Sequence, residues 1–341
     1  MGQNILRLGH QTPKGNPQPS GRGRMSKKEY WVTEYTIVEP GFEFIDPPTS
    51  DNYLEFLERC TRVCYASEGL IKPGSAEKLM NKVVKEYEHY SVTEHANLIL
   101  RVNTDIHGDL PYKILQLNQL MRISHVSNFI FVSGNVRMWM EFFKAAHTQP
   151  HIVWSQMETA LHEKMPFFFN QRMMKLGSLV CLVDENPLTN THQLTSKQMS
   201  KHMTLTCRVV CNRATSHQLV RHRKFAFSQQ SQRYCNFGKK GFQFIIPDSH
   251  KKSETTKKRF TDNALHCYET YLEDLRDGII PEDARDNLPN CTKTEVVTTG
   301  TLEYWKHVFE HRGHNPKAQA QIRNIMFNIE KKFHELVPQV F

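Results

Sequence analysis

Residues 201–234 read KHMTLTCRVVCNRATSHQLVRHRKFAFSQQSQRY. The stretch begins strand-like and ends helix-like before it enters a dense run of polar groups from His217 to Tyr234. A helix over 207–222 would set Gln218, Arg221 and His222 on one face. An extended run over 228–234 would point Gln229, Ser231 and Arg233 to one side. Two adjacent elements then present guanidinium, imidazole, amide and hydroxyl groups toward one place. Guanidinium suits bidentate binding of phosphate, while amides and hydroxyls read base edges and sugars. The collection fits a nucleotide pocket, although a solvated basic helix end followed by a polar strand has the same composition.

Upstream, TSDNYLEFLERCTRVCYAS (49–67) reads as a capped amphipathic helix with Leu54, Leu57, Cys60 and Cys64 among its apolar positions. A second helix is expected over 75–90, and ANLILRVNT reads as a strand leading away from HYSVTEH (89–95). The section at about 104–200 carries helical patterns such as NVRMWMEFFKAAH and a polar stretch near 185–197. It is expected to be an inserted, mostly helical section. Downstream, GFQFIIP is a short strand closed by Pro247, and 252–278 is a long amphipathic helix ending at Gly278. A Pro-bounded turn at 279–281 then precedes a final helical block. The fold class expected is α+β, a mixed or antiparallel sheet flanked by helices. No repeat of solenoid type is visible, but SGNVRMWMEFF at 133–143 echoes TGTLEYWKHVF at 299–309.

With 341 residues the chain can bury a substantial core. No stretch approaches the roughly 18 apolar residues of a membrane span, and the opening residues lack the apolar core of a secretory signal. Leu6 stands where a myristoylation motif requires Ser or Thr. A soluble, cytoplasmic protein is expected, with residues 1–28 a disordered basic tail in which Met25 is a possible second start. The net charge of +9 favours anionic partners. Much of the excess sits in that tail and in KKSETTKKR at 251–259, which weakens the case for a nucleic-acid groove. Deleting residues 1–27 separates the alternatives, since nucleotide turnover that survives loss of polynucleotide binding makes the latter a side activity. Eight cysteines without an export signal suggest free thiols in a reducing compartment. Cys60 with Cys64 and Cys207 with Cys211, spaced i, i+4 on expected helices, lack zinc spacing, and no metal is expected.

Arg221-His222-Arg223, seven residues and Ser231, followed by Gln232-Arg233-Tyr234, resembles the R-H-R-x7-S signature of the flavin-dependent thymidylate synthases, the thymidylate synthase-complementing family. Three further blocks stand in the family's order. His89-Tyr90-Ser91-Val92-Thr93-Glu94-His95 is similar to its H-x-[ST]-x-x-E-H segment, and Glu282 to Pro289 resembles its E-x-A-R-x-x-L-P element. Thr294-Glu295-Val296 through Trp305 to Arg312 resembles its closing helix. The resemblance implies a catalytic domain over 29–341 that methylates dUMP at C5 to dTMP. Methylenetetrahydrofolate would be the carbon donor, and NADPH-reduced FAD the hydride source. It also implies a homotetramer with shared active sites and no membrane partner.

Carried over by position, Arg221, His222, Arg223, Ser91, Glu94 and His307 would contact FAD, with His89 beside the flavin ring as a catalytic residue. Gln218, Gln229, Gln230, Ser231, Gln232, Arg233, Arg285 and Arg312 would hold the nucleotide. Arg312, facing the uracil carbonyls, would favour the electron-rich ring and is the second catalytic residue. For His89 and His95 the alternative is a hydrogen-bonded pair near a strand start. Ser231 is assigned to binding because no activating base for a nucleophile is evident. The chain has no G-x-G-x-x-G or G-x-x-x-x-G-K motif, which counts against ordinary dinucleotide folds.

Two departures concern the same site. The family commonly has Asn-x-Arg where this chain has Thr301-Leu302-Glu303, and Gln319 stands near a frequent His. Asn135-Val136-Arg137, followed by Trp139, carries the missing pattern. Either the middle section supplies a substitute contact, or two amphipathic helices are similar by chance. These changes keep open a C5 hydroxymethylase or a UMP methylase of the same fold. A basic nucleic-acid-binding protein is the reading from another class.

Overall fold

The computed structural model describes residues 34–49, 52–105, 108–149, 151–173, 179–183, 188 and 194–341, with the backbone of Ile5–Leu6. Apart from Ile5–Leu6, the expected basic tail lies outside the described residues, as does most of the polar stretch near 185–197. In chain order the strands are β1 (Ile5–Leu6), β2 (Tyr35–Ile37), β3 (Gly41–Ile45), β4 (Asn97–Asn103), β5 (Arg122–Val126), β6 (Phe129–Asn135), β7 (Val180–Val183), β8 (Thr204–Asn212), β9 (Ala226–Gln229), β10 (Phe242–Phe244) and β11 (Lys293–Thr301). The helices are α1 (Tyr53–Tyr65), α2 (Ser75–Met80), α3 (Leu110–Leu117), α4 (Val136–Ala146), α5 (Ile152–His162), α6 (Ser196–His202), α7 (Arg213–Leu219), α8 (Phe237–Lys240), α9 (Glu254–Arg276), α10 (Pro281–Ala284), α11 (Leu302–Val308) and α12 (Ala320–Leu336). The fold is α+β. Among the described residues no helix is long and apolar enough to cross a membrane.

The chain forms two compact units. The first comprises Met1–Pro40, Val210–Ser216 and Gln230–Thr294. Its sheet has the order β1-β2-β10, with β10 parallel to β2. The long helix α9 buries Ala264, Leu265, Tyr268, Tyr271, Leu272 and Leu275, one stripe at helical period. Ser253 caps its start by accepting from Thr256 N, and Gly278, at φ 88°, takes the left-handed conformation just past its end. Tyr268 stacks on Phe242 at 4.6 Å, and its hydroxyl donates to the Phe237 carbonyl, so a polar tip is satisfied inside an apolar core.

The second unit comprises Gly41–Val209, His217–Gln229 and Glu295–Phe341. It contains the sheet β5-β6-β4-β7, antiparallel throughout, and most of the sheet β3-β8-β11-β9. One core joins Leu57 and Cys60 of α1, Leu98 and Leu100 of β4, Trp139, Phe142 and Phe143 of α4, and Val297 of β11. Burying each large apolar side chain contributes roughly 1.5–3 kcal/mol.

Several sequence expectations are corrected here. The section 104–200 holds α3, α4, α5 and the start of α6, as a mostly helical section would, and adds β5, β6 and β7, which form a sheet with β4. The helix expected over 207–222 is a strand to Asn212 and a helix only from Arg213 to Leu219; Cys207 and Cys211 therefore lie on β8. Extended structure over 228–234 stops at Gln229. Helix 75–90 ends at Met80 and widens into a π-type turn over Asn81–Glu86. The final block is not wholly helical, because KTEVVTTGT forms β11 between α10 and α11. Asn52 stands at the start of α1, but its side chain accepts from Thr49 N rather than capping the helix. None of the eight cysteines forms a disulfide.

Candidate active site

In the second unit α7 ends at Leu219, and a tight turn follows in which His222 N donates to Leu219 O and Phe225 N to His222 O. The turn carries Arg221-His222-Arg223, with both arginines exposed and the imidazole buried. Phe225 then packs its ring over Gly300 of β11, where a Cβ would stand 2.1 Å from two ring carbons. Glycine is required there because the ring that anchors the turn occupies the side-chain space. β9 pairs with β11 in a register that sets Ser228 opposite Val297 and Gln229 opposite Val296.

Arg312 reaches this turn from the other end of the chain. Past Val308 the helix widens into a π-type turn over Phe309–His314, a feature that recurs at functional sites because it re-aims side chains. Arg312 Nε donates to His222 Nε2 at 3.0 Å. An imidazole nitrogen can accept only when that nitrogen is unprotonated, so the bond requires neutral His222. Burial first, and then the charges of Arg312, His307 and His311, bring its pKa down to about 4. His307 stacks on Tyr304 at 5.4 Å and lies against His311 at 4.2 Å, with its centroid 6.3 Å from that of His222. Burial and its neighbours His311 and Lys224 also lower the His307 pKa. Gln218 donates to Gln319, so the residue standing near the family's frequent His holds a predicted substrate residue.

His95 is fully buried between Thr299 Oγ1 at 2.7 Å from Nδ1 and Ser228 Oγ at 2.9 Å from Nε2. Burial brings its pKa down to about 3, so it is a neutral structural link and not paired with His89. His89 and Ser91 stand exposed, the His89 ring 6.0 Å from that of Tyr87. Among the described residues, no side-chain hydrogen bond joins His89 to the His222 cluster. Glu94 accepts from Arg137 Nη1 at 2.7 Å, and Arg137 Nε donates to Glu141 at 2.9 Å.

In the first unit, Ser231 forms a turn by accepting from Arg233 N through its hydroxyl and from Cys235 N through its carbonyl. Arg233 pairs with Glu282, Nε to Oε1 at 2.8 Å and Nη2 to Oε2 at 3.2 Å. That pairing orients the guanidinium by its two-pronged geometry. Gln232 is half-buried beside it. Gln230 is buried, and its Oε1 has no hydrogen-bond partner among the described residues. Leaving such an atom unsatisfied costs about 1–3 kcal/mol, which a ligand donor would recover. Arg213, at the start of α7, was not singled out by sequence reasoning. Burial and then the nearby charge of Arg285 lower its pKa. Two like charges held together mark a place prepared for an anion. The sequence signal was a third arginine at the head of the same segment, which periodicity alone could not direct toward Arg285.

The model of the thymidylate synthase complementing protein family matches residues 185–339. The matched residues, a little under half of the chain, are similar to that family. Its pattern thus covers the His222 turn, the Arg233 loop, Arg285 and Arg312, while His89 to His95 and Arg137 precede the match. Flavin-dependent thymidylate synthase from Geobacter sulfurreducens is 35% identical over 130 residues, covering 38% of this chain and 56% of that protein. The enzyme of the same description from Pyrococcus abyssi is 35% identical over 132 residues, covering 38% and 54%. The one from Clostridium tetani is 31% identical over 146 residues, covering 38% and 57%. The chain thus spans about half the length of the curated relatives it matches. A crystal structure of a UMP/dUMP methylase PolB from Streptomyces cacaoi bound with 5-Br UMP is similar at 23% identity and a TM-score of 0.36, over 40% of this chain and 70% of that one.

The family's relatives are named for a flavin, and the donor set here can be tested against one. A flavin dinucleotide carries a pyrophosphate, which needs cationic donors where no glycine-rich cradle exists. Exposed Arg221 and Arg223 and half-exposed Arg137 supply them, and neutral His222 is available to a ring or ribose. The residues fit the group.

Proposed function

We propose that the chain is a flavin-dependent enzyme that methylates dUMP at C5 to give dTMP, with methylenetetrahydrofolate as carbon donor and NADPH as source of reducing equivalents. The observation that carries this reading is the Arg312–His222 bond. It joins two signature elements of the family that lie far apart in sequence and holds the central imidazole neutral between exposed arginines.

Arg221, His222, Arg223 and His307 hold the flavin, with Ser91, Glu94 and His89 contributing from the segment before β4. When bound, reduced FAD supplies the hydride. Arg213, Arg233 and Arg285 neutralise the nucleotide phosphate, and Ser231, Gln230, Gln232, Gln229 and Gln218 read sugar and base. Arg312 supplies positive charge at the uracil carbonyls, where electron density collects as C5 becomes nucleophilic. His89, exposed at the head of its turn, is available to orient the substrate against the flavin ring. A same-fold C5 hydroxymethylase or UMP methylase is the second reading, favoured by Thr301 and Glu303 at the strand-to-helix junction.

Titration of the FAD-loaded chain with dUMP tests the binding half of this reading. A saturable change in the flavin absorption spectrum with dUMP, absent with dCMP, is expected. A chain that binds flavin but shows no spectral response to any uridine monophosphate contradicts it.

A further inference from the structure

The echo between 133–143 and 299–309 is one part of a wider correspondence. His95, Ala96 and Leu98 lead into β4 as His202, Met203 and Leu205 lead into β8. The residue after each histidine accepts from the first residue of a helix, Ala96 O from Val136 N at 2.9 Å and Met203 O from Leu302 N at 3.2 Å. Two residues on, each strand accepts from a buried indole, Leu98 O from Trp139 at 3.3 Å and Leu205 O from Trp305 at 3.0 Å. Each helix is capped by the last residue of the preceding strand, Asn135 or Thr301. Each cap follows a glycine whose missing Cβ makes room for one side chain, Met121 over Gly134 and Phe225 over Gly300. The hairpins share a register: Ser124 faces Phe131 as Ser228 faces Val297. The sheets correspond strand for strand, β5-β6-β4-β7 with β9-β11-β8-β3.

The contacts between the two copies are reciprocal. His95 of the first bonds Ser228 and Thr299 of the second, and His202 of the second bonds Ser124 and Ser133 of the first, both at 2.8 Å. Residue i touching j while the equivalent of j touches the equivalent of i is the mark of a twofold relation. Chance similarity of two helices does not produce it.

The copies have lost different things. Where the second has Arg221-His222-Arg223, the first has Leu117-Asn118-Gln119. Where the second leaves β9 for the long excursion with Arg233 and Arg285, the first turns from Val126 to Phe129 through Ser127 at φ 52°. Conversely, the first keeps Asn135, Arg137 and Glu94 where the second has Thr301, Glu303 and Lys201. Lys201 is turned away to the Ile123 carbonyl at 2.5 Å, whereas Arg137 and Glu94 form an ion pair at 2.7 Å. Glu94 adjoins His95, and His95 is bonded to the strand that follows the Arg221–Arg223 turn. What one copy has lost, the other keeps.

We propose that the chain is an internally duplicated fold with one composite dinucleotide site, in which Arg137 of the first copy joins Arg221 and Arg223 of the second on the cofactor phosphates and replaces the cation that Glu303 cannot supply. This rests on the flavin reading above. The opposite combination, Leu117, Asn118 and Gln119 with Glu303, lacks the exposed arginines of the first, and its Lys201 is engaged by the Ile123 carbonyl, so the expected stoichiometry is one flavin per chain.

Equilibrium titration of the purified full chain with FAD, read by flavin fluorescence, tests this. Arg137→Ala is expected to weaken FAD binding by about tenfold or more, the loss typical of a charge-assisted contact. Arg137→Lys should recover part of it, and Glu303→Ala should leave affinity within about twofold, as for an exposed charge outside the site. Melting temperatures should be unchanged, since Arg137 is half-exposed. An Arg137→Ala chain that binds FAD as tightly as the parent overturns the proposal and leaves the methylase reading intact. A parent chain that binds no FAD overturns that reading and the proposal together.

Discussion

At His222 the imidazole is neutral at physiological pH because burial and three neighbouring cationic or ionisable groups all oppose its protonation. Removing one of them gives a signed prediction. Arg312→Ala should raise the His222 pKa from about 4 while burial still keeps it below the ordinary imidazole value of 6.5, measured by NMR titration of the ring. An unchanged or lower value would mean that Arg312 does not act on this ring. In the first unit Arg213 feels the charge of Arg285, and a bound phosphate would relieve that repulsion. Arg285→Ala or Arg213→Ala should weaken dUMP binding by at least about tenfold, the loss of a charge-assisted contact; calorimetric affinity within twofold of the parent would remove them from the site. Arg221 was singled out as a flavin contact by the long ungapped signature, and Arg285 and Arg312 as nucleotide contacts by two separate blocks further along the chain. Arg213 was not, since its meaning lies in a neighbour that only folding brings near.

The elements that were legible are those with an unbroken period: β4, α4 and α9 all stand within a few residues of their expected places. β11 was missed because its burial is continuous on both faces, so it has no alternation to read, and the helical pattern beginning near Thr301 was extended backward over it. The close approach at the β11–α11 junction has a stability consequence. Gly300→Ala places a methyl group inside the Phe225 ring and should cost on the order of 1–3 kcal/mol in chemical denaturation. Gly134→Ala should cost less, because the atom it meets is the sulfur of flexible Met121. Equal costs would contradict this reading of the junction. The histidine links add a pH dependence. His95 and His202 are both held near a pKa of about 3, mainly by burial, against the ordinary imidazole value of 6.5. The unfolded chain therefore takes up protons first as pH falls, and stability that is complete above 6.5 is lost progressively between 6.5 and about 3. A His95→Gln, His202→Gln double variant should show a flatter decline of melting temperature between pH 7 and 4 than the parent; parallel curves would show that other groups set the slope.

For the chain as a whole, the proposed duplication reads the section at about 104–200, expected as an insertion, as part of one of two strand-and-helix frames, only one of which carries the nucleotide signature. A tandem of this kind was faintly visible as a single echo of eleven residues, because the rest of the first copy has kept its backbone contacts while changing nearly every side chain that would reveal it. If the family's assembly requires four copies of the frame, two chains suffice here. Light scattering should then give a dimer, and a tetramer of chains would contradict it. The formal charge of +9 suits a substrate and cofactor that are both phosphorylated and says nothing against either.

A reaction on a uridine monophosphate is tested most directly through its product. The FAD-reduced chain is incubated without oxygen with methylenetetrahydrofolate and either dUMP or UMP, and the nucleotides are read by mass. Thymidylate from dUMP, abolished by Arg312→Ala, is the predicted result. A hydroxymethyl product or a preference for UMP would assign the fold to the related chemistry instead, and the absence of any modified nucleotide from a chain with flavin bound would contradict the account.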